Sequence, residues 1–167
     1  MLSCITVARY ILSKDPNRCV FNTKNLITKN NRKFYEGNAR LNKYLHLIQN
    51  VYIAKYGRPL ICDDLYAYDN GGVVPKVQEN YAILINENTP VEQNISGTDA
   101  IFLDKMCKAL ETATLDELIE LSHEDPEWKA KNHYFNKADQ KMESMKYVEA
   151  YKEQYADFVK ILDRMNV

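Results

Sequence analysis

The residues best suited to chemistry in this chain are His123, Glu124 and Asp125, three consecutive polar groups. An imidazole oriented by a carboxylate is what a general base requires. No nucleophile is tied to the cluster, and neighbours in sequence need not point at one another. The same residues also suit a structural role. His123 could close a helix at its C-terminal end, where a cation is favoured, and hold the turn to Trp128. The simpler structural role is the expected one. His46, between Leu45 and Leu47, reads as a packing or hydrogen-bonding residue rather than a base. His123 and His133 lack the i, i+4 helical spacing of a zinc-binding pair, so no metal site is assigned. Gly71-Gly72 lacks the Lys-Ser/Thr of a phosphate-binding loop and reads as a turn. No catalytic residue and no cofactor is assigned.

The elements that would position these groups can be read from periodicity. Leu41, Tyr44, Leu45, Ile48, Val51 and Tyr52 recur at steps of three and four, which predicts a helix with one apolar face. Asn38 is the expected N-cap, Gly57 suits the left-handed closing position, and Pro59 prevents restart. Leu60-Ile61-Cys62 and Leu65-Tyr66-Ala67-Tyr68 then read as two small strands or one bent one. Pro75 suits the first turn of a further helix, whose buried face is Val77, Tyr81, Leu84 and Ile85. Ser96 or Thr98 could cap a helix through Ile101, Phe102, Met106, Ala109 and Leu110. Thr114-Leu115-Asp116-Glu117 is a capping box for a helix ending near His123, and Asp125-Pro126 a fresh helix start carrying Trp128. Residues Met142 through Met165 predict one long C-terminal helix of about six turns. At the other end, MLSCITVARYIL has no basic flank or small-residue cleavage site. It is expected to form an amphipathic helix on Ile5, Ala8, Ile11 and Leu12 rather than a signal peptide. Asn22–Asn38 reads as a polar connection, and Asn86–Gly97 as the most mobile loop.

The order of these features resembles one family. The resemblance rests on Leu41, Asn42, Lys43, Leu45 and Gln49 of the first long helix, then Gly57-Arg58-Pro59-Leu60. Asp63-Asp64, Tyr66-Ala67-Tyr68 and Gly71-Gly72-Val73-Val74-Pro75-Lys76-Val77 follow, with a closing run from Leu118 to Trp128. Over roughly residues 38–131 the chain is similar to the Panacea domain of SocA-like antitoxins and GepA-type phage-associated proteins. Gly72 stands where that family usually carries proline, and Glu127 separates Pro126 from Trp128. The resemblance implies a module that binds and neutralises a protein toxin encoded nearby, by occluding it or delivering it to a protease. The expected partner-binding residues are Tyr66, Tyr68, Gly71, Gly72, Val73, Val74, Pro75, His123 and Trp128. Two alternatives stay open: a small enzyme using His123, or a phage-associated regulator that binds nucleic acid.

Composition narrows these classes. The chain has 167 residues, enough for one domain over 1–167 that buries about 70% of its unfolded surface. The expected fold class is mainly α, with a small β-hairpin-like element. With 22 basic against 23 acidic residues the net charge is -1, which disfavours nucleic acid. The locally basic stretch with Lys24, Lys29, Arg32 and Lys33 reads more simply as a solvated loop. A mean hydropathy of -0.48 speaks against a membrane protein. Cys4, Cys19, Cys62 and Cys107 form no Cys-x-x-Cys pair and are expected to be reduced, mostly buried thiols in a cytoplasmic protein. The 12 tyrosines are the remaining signal, because tyrosine gives large contact area at low entropy cost. Tyr52, Tyr56, Tyr66, Tyr68 and Tyr81 lie near the expected binding turn.

Overall fold

The chain is arranged around one helix, α2 (Glu36–Tyr56), whose central residues Leu41 to Ile53 are all buried. The computed structural model describes residues 1–21, 25–29, 31–87 and 95–167 and is mainly α-helical. The apolar stripe of α2 joins the core as its periodicity predicts. Its opposite stripe is buried too, and that stripe holds Asn42, Lys43, His46, Gln49 and Asn50. The helix begins two residues before the expected cap. Asn38 lies in its first turn and donates instead to the Gln78 carbonyl at 3.2 Å. Gly57 closes the helix at φ 69° as expected.

Around α2 pack α1 (Cys4–Ser13), α3 (Pro75–Asn86), α4 (Gly97–Leu110), α5 (Leu115–His123) and the C-terminal helices. The sequence signals at their starts are realised. Ser96 accepts from the Asp99 amide and the Thr114–Glu117 capping box is complete, while Ser3, which the sequence reading did not name, caps α1 by accepting from the Thr6 amide. Pro75 occupies the first turn of α3. Asp125 caps α6 (Pro126–Lys131) by accepting from the Glu127 amide. In α1 the buried residues are Cys4, Val7, Ala8, Ile11 and Leu12, with Ile5 only half-buried.

Two hairpins are formed among the described residues. The first, β1 (Leu26–Lys29) with β2 (Arg32–Tyr35), lies where only a polar connection was expected. Its residues are mostly exposed, so no alternation of apolar side chains marked it. The second pairs β3 (Tyr66–Tyr68) with β4 (Gly71–Val73) in the register Tyr66–Val73, Ala67–Gly72 and Tyr68–Gly71. The other expected strand, Leu60–Cys62, does not join it. Ile61 pairs in parallel with Leu2, where Leu2 donates to the Leu60 carbonyl and Cys62 donates to that of Leu2. The free edge of β3 is met by the chain around Gln140–Met142.

The C-terminal stretch is helical but not one continuous helix. A 3-10 turn (Ser144–Tyr147) leads into α7 (Val148–Gln154), and Tyr155 at φ -102° interrupts the path before α8 (Ala156–Arg164). Spacing at three and four cannot distinguish one helix from two in series. The break lets α7 lie along α2 while α8 reaches α4. Tyr151 and Tyr155 are buried rather than displayed. The four cysteines are free. Cys4 is buried and Cys107 partly so, but Cys19 and Cys62 are exposed, against the expectation of mostly buried thiols. Among the described residues no helix is long and apolar enough to cross a membrane. The expected mobile loop and Lys24 fall largely or wholly outside the described residues.

Candidate functional site

The turn at Gly71-Gly72 is held against the polar stripe of α2. Gly71 has φ 115°, and a Cβ there would overlap the Ser122 hydroxyl and lie 2.9 Å from Cε of Lys43. A Cβ on Gly72 would lie 2.6 Å from the His46 ring, so neither position has room for a side chain. The space a side chain would fill is used for backbone contacts. Gly72 N–H donates to His46 Nδ1 at 3.2 Å, and Lys43 Nζ donates to the Gly72 carbonyl at 3.1 Å. Val74 N–H donates to Asn42 Oδ1 at 2.9 Å. One helical turn further on, Gln49 treats the preceding segment the same way. Its Oε1 accepts from the Leu60 and Ile61 amides, and its Nε2 donates to the Ile61 carbonyl. The buried polar stripe of α2 is therefore a template for the backbone of residues 60–74.

Behind the template sits Asp125, fully buried. His46 Nδ1 accepts from Gly72, so the ring proton lies on Nε2 and is donated to Asp125 Oδ2 at 2.6 Å. Asn50 donates to the same oxygen, and Tyr151 to the other, each at 2.8 Å. Burial acts to raise the Asp125 pKa, but hydrogen bonds from His46, Asn50 and Tyr151 outweigh it and hold the carboxyl below its ordinary value. Burial, followed by the adjacent Asp125, pushes the Tyr151 phenol far up, so it stays a donor. Both nitrogens of His46 are thus occupied in a site closed to solvent.

The sequence cluster at His123–Asp125 does not act as a unit. Asp125 turns to His46, Glu124 is exposed, and His123 stacks flat on Trp128 with ring centres 3.8 Å apart. No hydrogen bond among the described residues links His123 to either carboxylate, so the base-and-carboxylate arrangement is not formed. His123 is also not a cationic helix cap. Burial, then the charge of Lys43, lowers its pKa and favours the neutral ring. Its Nε2 is buried without a partner among the described residues. Trp128 donates from its indole nitrogen to the Tyr68 carbonyl at 2.7 Å. The two segments expected to share one surface, around Tyr68 and around Trp128, are joined by this bond.

Gly71, Gly72, Val73 and Val74 are buried and shape the hairpin without being displayed. Tyr66, Tyr68, Pro75, His123 and Trp128 are half-buried. Tyr66 and Tyr68 project from the same side of β3, with ring centres 6.2 Å apart, and the Lys137 ammonium lies 5.9 Å from the Tyr68 ring. Tyr52 and Tyr81 belong to the core. Sequence reasoning missed Phe135, which is fully exposed beside Tyr134 in the loop ahead of Gln140. It also missed the template role of Asn42, Lys43, Gln49 and Asn50. Their own spacing, a polar stripe inside an otherwise apolar helix, was the available signal.

The family model described as antitoxin SocA-like, Panacea domain, matches residues 41–129. The chain belongs to this family. No curated protein and no solved structure matches it. The Panacea match begins at the first fully buried turns of α2 and ends just after Trp128, so it contains the template, the hairpin and Asp125. Tyr151, which completes the Asp125 network, lies outside it, as does the segment at the edge of β3. Gly72 and Glu127, the two departures read from the resemblance, are both buried. Gly72 supplies an N–H that proline lacks, and Glu127 bonds Lys131 at 2.8 Å.

Proposed function

We propose that this chain is the antitoxin of a toxin–antitoxin pair, a cytoplasmic module that binds and neutralises a protein toxin encoded nearby. The contact surface in this reading is the outer side of the β3–β4 hairpin with its neighbouring corner: Tyr66, Tyr68, Pro75, His123 and Trp128. Gly71, Gly72, Val73 and Val74 set the path of that surface from beneath. The observation that carries the reading is the coincidence of the Panacea match with the clamped hairpin and its tyrosines. A backbone held by buried side chains presents aromatic anchors with little ordering left to occur on binding. Neutralisation by occlusion and by delivery to a protease both begin with this contact. The nucleic-acid alternative is weaker, because Lys29 and Arg32 of the first hairpin are already paired with Asp116 and Asp69.

Tyr68→Ala tests the placement. Loss of a central anchor costs about 2 kcal/mol, so affinity for the neighbouring gene's product should fall roughly 30-fold while the protein stays folded. Unchanged affinity in a folded variant removes the hairpin from the interface. It would not move the contact to Tyr151 and Tyr155, which are buried.

A further inference from the structure

Asp63 is shared by two cysteines that stand far apart in the sequence. Its Oδ1 accepts from the Cys4 amide at 2.7 Å, across 59 positions of chain, and from the Cys62 thiol at 3.6 Å. The Cys4 thiol donates to the same carboxylate. Burial acts to raise the Asp63 pKa, but these bonds, with the charge of Lys76, outweigh it and hold the carboxyl below its ordinary value. The backbones on either side are already paired. Leu2 donates to the Leu60 carbonyl at 2.7 Å and Cys62 to the Leu2 carbonyl at 2.9 Å, so Leu2 and Ile61 form a parallel bridge. Paired strands lie about 4.8 Å apart, within the Cα separations of about 4.4–6.8 Å that a disulfide spans. Cys62 directly follows this bridge, and Cys4, the first residue of α1, lies two residues beyond it. The two thiols differ in access. Cys62 is exposed and Cys4 is wholly buried, so a reagent in solution reaches only the first.

We propose that Cys62 and Cys4 form a redox-responsive pair, with Cys62 the site of attack on a small-molecule disulfide and Cys4 the resolving thiol. In the first step the Cys62 thiolate attacks one sulfur of glutathione disulfide. A Cys62–glutathione bond forms, the reagent's S–S bond breaks, and one glutathione thiolate leaves. In the second step the Cys4 sulfur attacks that of Cys62, the Cys4–Cys62 bond forms, and the second glutathione thiolate leaves. The two cysteines lose two electrons, which reduce the glutathione disulfide, and their two protons are taken up by the departing thiolates. Burial, then Asp63, pushes the Cys4 thiol up to about 12, which keeps it inert toward reagents in solution. Once Cys62 carries the adduct, the high effective concentration of an intramolecular reaction offsets the small thiolate fraction of Cys4. Oxidation takes both thiol donors from Asp63 and ties the start of α1 to the segment that Gln49 holds. Disulfides of this kind serve in redox sensing even where the compartment is reducing.

The test treats the full-length chain with glutathione disulfide and follows mass, peptide map and melting temperature. Cys19, the other exposed thiol, is changed to serine throughout so that it cannot exchange. The expected product has lost two hydrogens, links Cys4 to Cys62 in the map, and melts roughly 5–10 °C above the reduced chain. Dithiothreitol should reverse both changes. Cys4→Ser should stop at the Cys62–glutathione adduct, and Cys62→Ser should leave Cys4 unmodified. Cys62 is exposed, so its variant remains informative even if Cys4→Ser fails to fold. A lasting adduct at Cys62 beside a free Cys4, in the chain that carries both cysteines, overturns the proposal. So does a Cys62–Cys62 link between two chains, or a Cys4–Cys62 link that forms only in urea. The pair does not rest on the antitoxin reading, and the treatment uses no toxin, so either can fail without the other.

Discussion

On its inner side the β3–β4 hairpin meets the polar side chains of α2; on its outer side it carries Tyr66 and Tyr68. Asn42, Lys43 and His46 are almost wholly removed from solvent and bonded to the hairpin backbone. The tyrosines are half-buried and rest on neighbouring rings and a lysine. The inner side resembles a polar core network, in which a missing partner is costly. The outer side resembles an interface, in which single contacts are tolerant of loss in the free protein. Under the proposed antitoxin reading, stability and recognition divide between the two sides of one short hairpin.

The strongest way to break that division is Asp125→Ala. It leaves the donors of His46, Asn50 and Tyr151 buried and unpaired, and should cost about 3–5 kcal/mol in urea unfolding. A loss below about 1 kcal/mol would mean the network does not hold the hairpin.

A subtler effect is expected at Lys43. Its pKa is about 7 in the fold against 10.5 for the free side chain, so the unfolded chain binds the extra proton between those values. Stability should therefore rise with pH through that window, and the full penalty of burying the charge is present below about pH 7. The charge of Lys43 in turn lowers the His123 pKa, and Arg32, Tyr68 and Asp69 line the same pocket, so the informative quantity is the difference from Lys43→Met. Chemical denaturation of both proteins from pH 6 to pH 9 should show that slope in the natural chain and a flatter one in the variant. Parallel curves would place the ammonium in a better solvated setting.

The smallest effect on the fold belongs to Phe135→Ser. A fully exposed ring should change stability by no more than about 0.5 kcal/mol. Toxin affinity should nonetheless fall about fivefold if the aromatic surface extends across the loop, because each factor of ten is worth only about 1.4 kcal/mol. Unchanged affinity would confine the contact to Tyr66, Tyr68 and Trp128.

How much of this was legible before folding depends on distance along the chain. The helix through Leu41–Tyr52, its Gly57 stop, the Pro75 start, the Thr114 capping box and the Asp125-Pro126 start are all local devices. Their geometry involves residues a few positions apart, so residue type and spacing suffice to read them. The Panacea resemblance was legible for the same reason, as an ordered series of such local signals. The β1–β2 hairpin was not, because its exposed residues carry no burial pattern. The broken C-terminal helix was not, because its apolar spacing continues across Tyr155.

The sequence by itself therefore determined the mainly helical class, most helix starts and stops, and the glycine turn. Tertiary structure alone decided what the polar residues do. His46 lies 79 positions from Asp125, and Asn42 lies 32 from Val74. Only the folded chain brings such residues within hydrogen-bond reach. Hydrogen bonds act over about 3 Å, so the roles of Asp125, Lys43 and His123 followed from which partners folding brought to that distance, not from which residues stood beside them in the chain.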